Sequence, residues 1–196
     1  DPITVATLGP LTNIAMAIVM APDIINNISQ LVLMGGALSF GNITPAAEFN
    51  IYSDPHAAHI VFEAGIKLTM IGLDVTHQAR MTPERLEVIR AIGNPAARCV
   101  AGMLDFYGKQ YIETFGKGAP LHDPCVIAYI LRPNLFIGQE MRVDIEISSP
   151  LTIGRTVCDV HARSDQVGNA NVLEKIDAPG FFRLLGERLA RLPKTG

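Results

Sequence analysis

The chain has 196 residues, 48% of them hydrophobic, and its 16 basic against 19 acidic side chains leave a formal charge of −3. That length can bury a sizeable single core, and the mild acidity lacks the basic patch or stripe a phosphate backbone requires, so nucleic acid is not an expected partner. The longest apolar run, Ile14 to Ala21, falls far short of the ~20 residues of a membrane-spanning helix, and no basic stretch with an apolar core opens the chain. A soluble, unexported, cytoplasmic protein with no membrane partner is expected. Cys99, Cys125 and Cys158 are odd in number and set among apolar neighbours, which suits small buried hydrophobes in a reducing compartment better than a disulfide framework or a zinc site.

Ile3 to Ala6 is a β-rich run that turns at Gly9-Pro10 into a helix, with Leu11, Ile14, Ala15, Ile18 and Val19 at helical spacing. Leu31 to Met34 is a short apolar strand stopped by Gly35-Gly36. A long loop through Asn42 and Pro45 follows, and Asp54-Pro55 then caps a helix with Ile60, Val61 and Ala64 on its inner stripe. Lys67 to Val75 reads as a buried strand. Thr82-Pro83 and Asn94-Pro95 each supply an N-cap followed by proline at the first helical position, with Gly93 between the two helices.

His122-Asp123-Pro124 opens another helix, after which the period changes to two. Met141, Val143, Ile145 and Ile147 alternate with Arg142, Asp144 and Glu146, giving one dry and one wet face. Thr156 to His161 is expected to pair with this strand as an antiparallel hairpin across the Pro150 to Gly154 turn. A last strand near Val172 to Ile176 leads to a closing helix with Phe181, Leu184, Leu185, Leu189 and Leu192 on one side. The repeated β-then-α order predicts an α/β fold: a Rossmann-like open, mostly parallel sheet flanked by helices, with an antiparallel hairpin near the C-terminus. One domain over residues 1–196 is expected, incomplete at its amino end.

Three clusters lie where an open α/β sheet presents its ligand site, at the carboxyl ends of strands. Leu8 to Asn13 is either a strand-to-helix turn using Gly9 and Pro10 for their backbone geometry, or a turn that points a backbone carbonyl outward as a hard oxygen ligand. Met34-Gly35-Gly36 with Asn42 and Glu48-Phe49-Asn50 offers a carboxylate and two carboxamides able to hold sugar hydroxyls. Phe49 and Met34 would form the apolar wall, although a solvated loop would look much the same. In His122-Asp123, the histidine titrates nearest neutrality and is the default acid for a leaving group, while Asp123 is either a hard-oxygen ligand or only a helix N-cap. His56, His59, His77 and His161 are expected to be structural, with Asp74-Val75-Thr76-His77 noted as a strand end.

Taken in order, Leu-Gly-Pro-Leu-Thr-Asn, Leu-Met-Gly-Gly, Ala-Glu-Phe-Asn, Asp-Pro, Leu-Asp-Val-Thr-His and Leu-His-Asp-Pro resemble the inosine–uridine preferring nucleoside hydrolase family through nearly the whole chain. The resemblance implies hydrolysis of the N-glycosidic bond of purine and pyrimidine ribonucleosides by a homo-oligomer, a dimer or tetramer. It also implies a calcium ion held in part by the backbone carbonyl of Leu8 and by Asp123. Asn42, Glu48 and Asn50 would bind ribose hydroxyls, Met34 would pack on the sugar and His122 would protonate the departing base. The helix from Pro95 onward corresponds to a mobile flap on which Tyr107 and Tyr111, one turn apart, either face the base or pack in the core.

The sequence departs from the family at one place. The family opens with Asp-Thr-Asp-x-x-x-Asp-Asp, which supplies the remaining calcium carboxylates and the base that activates water, and this motif and its opening strands are absent here. Glycoside cleavage needs a poised water on one face of the sugar and protonation of the leaving group on the other, and calcium takes ~6–8 oxygens. The 196-residue chain is therefore expected to be inactive alone, and the competing expectation is a non-catalytic paralogue that binds nucleosides or acts as an interaction partner.

Overall fold

A computed structural model describes residues 1–193. The chain divides into two compact units, one built from Asp1–Val75 and Phe136–Lys175, the other from Thr76–Leu135 and the chain from Ile176 onward. In the first unit, β1 (Ile3–Thr7), β2 (Ile28–Met34), β3 (Leu68–Ile71), β4 (Phe136–Met141) and β7 (Ala170–Ile176) form one sheet in the order β1-β2-β3-β7-β4, while β5 (Val143–Ile145) and β6 (Thr156–Cys158) form a separate antiparallel pair. The β1/β2, β2/β3 and β3/β7 pairs are all parallel, with Val5 opposite Leu31, Leu33 opposite Met70, and Met70 opposite Val172. The mostly parallel α/β sheet and the antiparallel hairpin expected from the sequence are both present.

Burial explains why these runs are strands. Leu31 to Met34 and Leu68 to Ile71 are buried without interruption, as strands covered on both faces must be. Leu31, Leu33, Leu68, Met70 and Val172 share one core with Leu11, Ala15 and Ile18 near and on α1 (Thr12–Met20) and with Ala57, Ala58, Val61 and Phe62 on α3 (Pro55–Glu63). Val143 and Ile145 of β5 close that core, so the period-two pattern does mark one dry face.

Five expectations change. The Lys67 to Val75 run is not one strand: β3 ends at Ile71 and α4 (Leu73–Thr76) follows, with Gly72 between them so close to Gly36 that a Cβ would sit 2.8 Å from its carbonyl oxygen. A one-turn helix, α2 (Phe49–Ser53), occupies part of the expected loop. The run from Met141 to Ile147 breaks at Arg142, whose guanidinium pairs with Glu63 and Asp144, so Met141 ends one sheet and Val143 starts another. Val19 and Leu192 are solvent-exposed rather than inward, and of the cysteines Cys99 is exposed, Cys158 half-buried and only Cys125 fully buried.

The second unit is helical, with α5 (Pro83–Ala91), α6 (Pro95–Phe115), α7 (Pro124–Leu131) and α8 (Ala178–Ala190). Thr82 Oγ1 accepts from Arg85 N–H, and Asn94 Oδ1 accepts from Ala97 N–H at 2.8 Å, the two caps the sequence predicts. Asn94 is also buried, and its Nδ2 donates to the Leu189 carbonyl at 2.8 Å, tying the start of α6 to the end of α8. Phe181, Leu184 and Leu189 are the buried positions of the closing helix. No described helix is long and apolar enough to cross a membrane.

Candidate active site

The sugar-side residues gather in the first unit at the carboxyl end of β2. Glu48 precedes α2 in extended conformation and caps it: Oε1 accepts from Asn50 N–H at 2.9 Å and Oε2 from Ile51 N–H at 3.2 Å. The same Oε2 accepts Gly36 N–H at 3.0 Å, and Glu48 is only 3% exposed. Backbone N–H donors on both oxygens fix the position of this carboxylate. Asn50, also buried, donates Nδ2 to the Met34 carbonyl at 2.9 Å and lies 3.5 Å from Met34 Sδ. Asn42 Oδ1 accepts from Phe49 N–H at 2.9 Å. This leaves Asn42 Nδ2 and Asn50 Oδ1 without a hydrogen bond among the described residues, one donor and one acceptor beside the half-exposed ring of Phe49.

Leu8 follows β1 directly, again at a carboxyl end, and its side chain is exposed. Next to it, Thr7 Oγ1 is the one buried side-chain polar atom among the described residues with no hydrogen-bond partner. From the following turn, Thr12 donates to Asp54 Oδ2 at 2.6 Å, which with the Ala57 N–H holds the Asp54 carboxyl below its usual range.

The second unit brings together His122, Asp123, Tyr107 and Tyr111. An antiparallel bridge between Arg80 and Pro120, flanked by Met81 N–H to Ala119 carbonyl and Leu121 N–H to Ala79 carbonyl, lays the His122 segment beside the end of α4. His122 Nδ1 then lies 2.8 Å from the hydroxyl of fully buried Thr76, and the His77 ring centroid is 5.8 Å away. Burial, then the neighbouring charges of His77 and Arg80, lower the His122 pKa to about 4, so its imidazole is neutral near pH 7. His77 thus stands beside His122, which its sequence setting does not imply.

Asp123 precedes α7 in helical conformation and makes no capping bond. It stands at the N-cap position with helical φ −63° and ψ −38°, and its side chain supplies no cap there. Its side chain is exposed, yet the surrounding protein removes enough water to hold its pKa above the ordinary carboxylate value. Tyr107 and Tyr111 pack with ring centroids 5.1 Å apart and their planes tilted by 58°. The Tyr107 pKa is raised by partial burial, by the hydrogen bond its hydroxyl makes to Tyr111 and by the charge of Asp123, which sets this pair on the Asp123 side of the unit. Tyr107 is 38% exposed, so it is not a core residue.

The ordered motifs agree with the comparisons to known proteins. The family model for inosine-uridine preferring nucleoside hydrolases matches residues 1–183. The chain belongs to this family. A pyrimidine-specific ribonucleoside hydrolase, RihA, from Shewanella woodyi is 51% identical over 190 residues, covering 96% of this chain and 61% of that protein. A purine-preferring ribonucleoside hydrolase from Gardnerella vaginalis superposes with a TM-score of 0.87 at 38% identity, covering 95% of this chain and 60% of its own. A plant nucleoside hydrolase, PpNRh1, superposes at 0.88 with 30% identity over 96% of this chain and 62% of its own. The chain spans about 60% of the length of the curated relatives it matches.

Among the described residues of this chain, no three His, Cys, Asp or Glu side chains gather into a metal site. The donor set that does fit a hard cation is small: Asp123, open to solvent and free of any capping bond. A cleft of about 510 Å³ lies at the opposite end of the sheet, lined by Glu63, Lys67, Arg142 and Asn169 at the amino ends of β3 and β7. Its most buried charge, Arg142, is already paired with Glu63 and Asp144, so the cleft reads as structural. The residues that sequence reasoning passed over are Thr76 and Thr156, whose hydroxyls find partners 46 and 119 residues away.

Proposed function

We propose that the chain serves hydrolysis of the N-glycosidic bond of purine or pyrimidine ribonucleosides, releasing free base and ribose. The observation that carries this reading is the Met34, Glu48 and Asn50 bracket, which leaves Asn50 Oδ1 and Asn42 Nδ2 for ribose hydroxyls next to Phe49. Glu48 fixes the bracket and can accept from a hydroxyl only in addition to its backbone donors. Met34 packs against the sugar, and Tyr107 and Tyr111 face the base. His122 protonates the leaving base, and because its imidazole is neutral near pH 7 in the free fold, it does so only where the bound substrate raises its pKa. The hydroxyl of Thr76 engages Nδ1, so Nε2 is the ring atom left for the leaving group.

In this reading calcium is the metal, and the ligands that the family resemblance gives it are Asp123 in the second unit and the Leu8 carbonyl in the first; when bound it would orient water and lower that water's pKa. Two such ligands fall short of the ~6–8 oxygens calcium takes, so the 196-residue chain alone is expected to be inactive. The cysteines, all free, fit a cytoplasmic setting, and the exposed Met103 and Phe106 on α6 fit a homo-oligomer. Ribose release from uridine and inosine, with calcium and with chelator, tests the reading. Calcium-dependent release is expected from the complete enzyme and none above background from residues 1–196. Absence of release from the complete enzyme would favour the nucleoside-binding, non-catalytic alternative.

A further inference from the structure

Beyond Met34 the chain leaves β2, and its backbone is then held by side chains from three distant places. Gly36 N–H donates to Glu48 Oε2 at 3.0 Å, Ala37 N–H to Thr156 Oγ1 at 2.9 Å, and Leu38 N–H to Asp74 Oδ2 at 2.6 Å. Thr156 also donates its hydroxyl to the Ala37 carbonyl at 2.6 Å, so a single side chain takes both backbone groups of one residue, as a strand partner would. The Gly36 carbonyl accepts from Leu73 N–H at 3.0 Å. These bonds lie in dry surroundings: Thr156 is 3% exposed and Ala37 7%. In such a place a lost partner is not replaced by water.

The fit is close as well as polar. Gly36 has φ +72°, and a Cβ there would come within 2.7 Å of Thr156 Cγ2. Glycine is needed both for the left-handed backbone and for the approach of β6. The β5/β6 pair, which adds no strand to the main sheet, thereby reaches the turn that follows Met34.

We propose that Thr156 is a positioning residue for the sugar side of the active site, acting with Asp74 through the Gly36–Leu38 backbone. The proposal rests on the reading of the Met34, Glu48 and Asn50 bracket as ribose-binding. Glu48 Oε2 divides itself between Gly36 and Ile51, so the position of Gly36 decides where that carboxylate rests. Asn50 takes its own reference from the Met34 carbonyl, two residues before Gly36. Freeing Ala37 would let this turn relax and would spread the sugar contacts over several geometries. Pre-organisation of this kind is lost through small displacements.

Thr156→Val keeps the shape and removes the hydroxyl, whereas Thr156→Ser keeps the hydroxyl and removes the methyl. In the complete enzyme, Thr156→Val is expected to raise KM for uridine and inosine about tenfold with a smaller change in kcat, and Thr156→Ser to restore most of it. Amide hydrogen exchange should quicken at Ala37 and Leu38 in the valine variant while β3 and β7 keep their protection. An unchanged KM for Thr156→Val, or equal losses in both variants with exchange raised throughout the sheet, would overturn the proposal. Failure of the unsubstituted enzyme to release ribose from any ribonucleoside would instead overturn the functional reading on which it rests.

Discussion

Asp123 stands at the entrance of a helix without capping it, with its charge disfavoured by its surroundings and open to solvent. A side chain kept there contributes little to folding, which separates it from an ordinary N-cap, whose replacement by alanine costs ~1 kcal/mol. Asp123→Ala is therefore expected to leave thermal stability nearly unchanged while weakening calcium binding in the complete enzyme, as thermal melts and calorimetric titration will read. A stability loss of about 1 kcal/mol with calcium affinity intact would return Asp123 to a capping role. His122 carries a pH signature of its own. It titrates near 6.5 in an unfolded chain and at about 4 in the fold, so the unfolded chain binds more protons between those values. Stability held above pH 6.5 is lost as pH falls toward 4, by at most about 3 kcal/mol for this one group. Denaturant melts between pH 4 and 7 on the chain and on His122→Gln should show the dependence shrinking in the variant, and an identical dependence in both would place the titration elsewhere.

At the scale of elements, Asn94 joins a cap to a long-range tie. Its Oδ1 caps α6 while Nδ2 reaches the Leu189 and Leu192 carbonyls, all from a buried position. Asn94→Ala should destabilise by about 2 kcal/mol, because a cap and a buried carbonyl's partner are lost together. Asn94→Asp, which keeps the cap alone, should cost no less, since it sets a carboxylate against two carbonyl oxygens; chemical denaturation of both variants checks the ordering. The cap itself was legible in the sequence as Asn-Pro, and the tie was not, because its partners lie 95 and 98 residues away. The same divide runs through the rest of the molecule. Periodicity and cap residues mark the strands after Ile3, Leu31 and Val172 and the helices at Asp54, Thr82, Asn94 and Pro124, since those signals are local. Gly72 ending β3 and Arg142 splitting the alternating run depend on what lies across the fold, so local pattern extends both strands too far. At the candidate site, Glu48, Asn50 and His122 announce themselves by residue type within short motifs. Thr76 and Thr156 are ordinary threonines until folding supplies their partners.

For the whole molecule, the proposed roles fall to two compact units: Met34, Glu48 and Asn50 in the first, His122 and Asp123 in the second. That division matches the two tasks of glycoside cleavage, holding the sugar and helping the base to leave. If His122 delivers the proton, its importance must scale with the need of the leaving group for one. The purine of inosine departs poorly without protonation, whereas p-nitrophenolate is a stable anion. The most direct measurement is kcat/KM of the complete enzyme and of its His122→Ala variant on inosine and on p-nitrophenyl riboside, under the same calcium. The account predicts a loss of ~10²–10⁴-fold on inosine with p-nitrophenyl riboside left within a few fold of the parent enzyme. Equal losses on the two substrates would contradict it, assigning His122 to position or structure instead of acid catalysis.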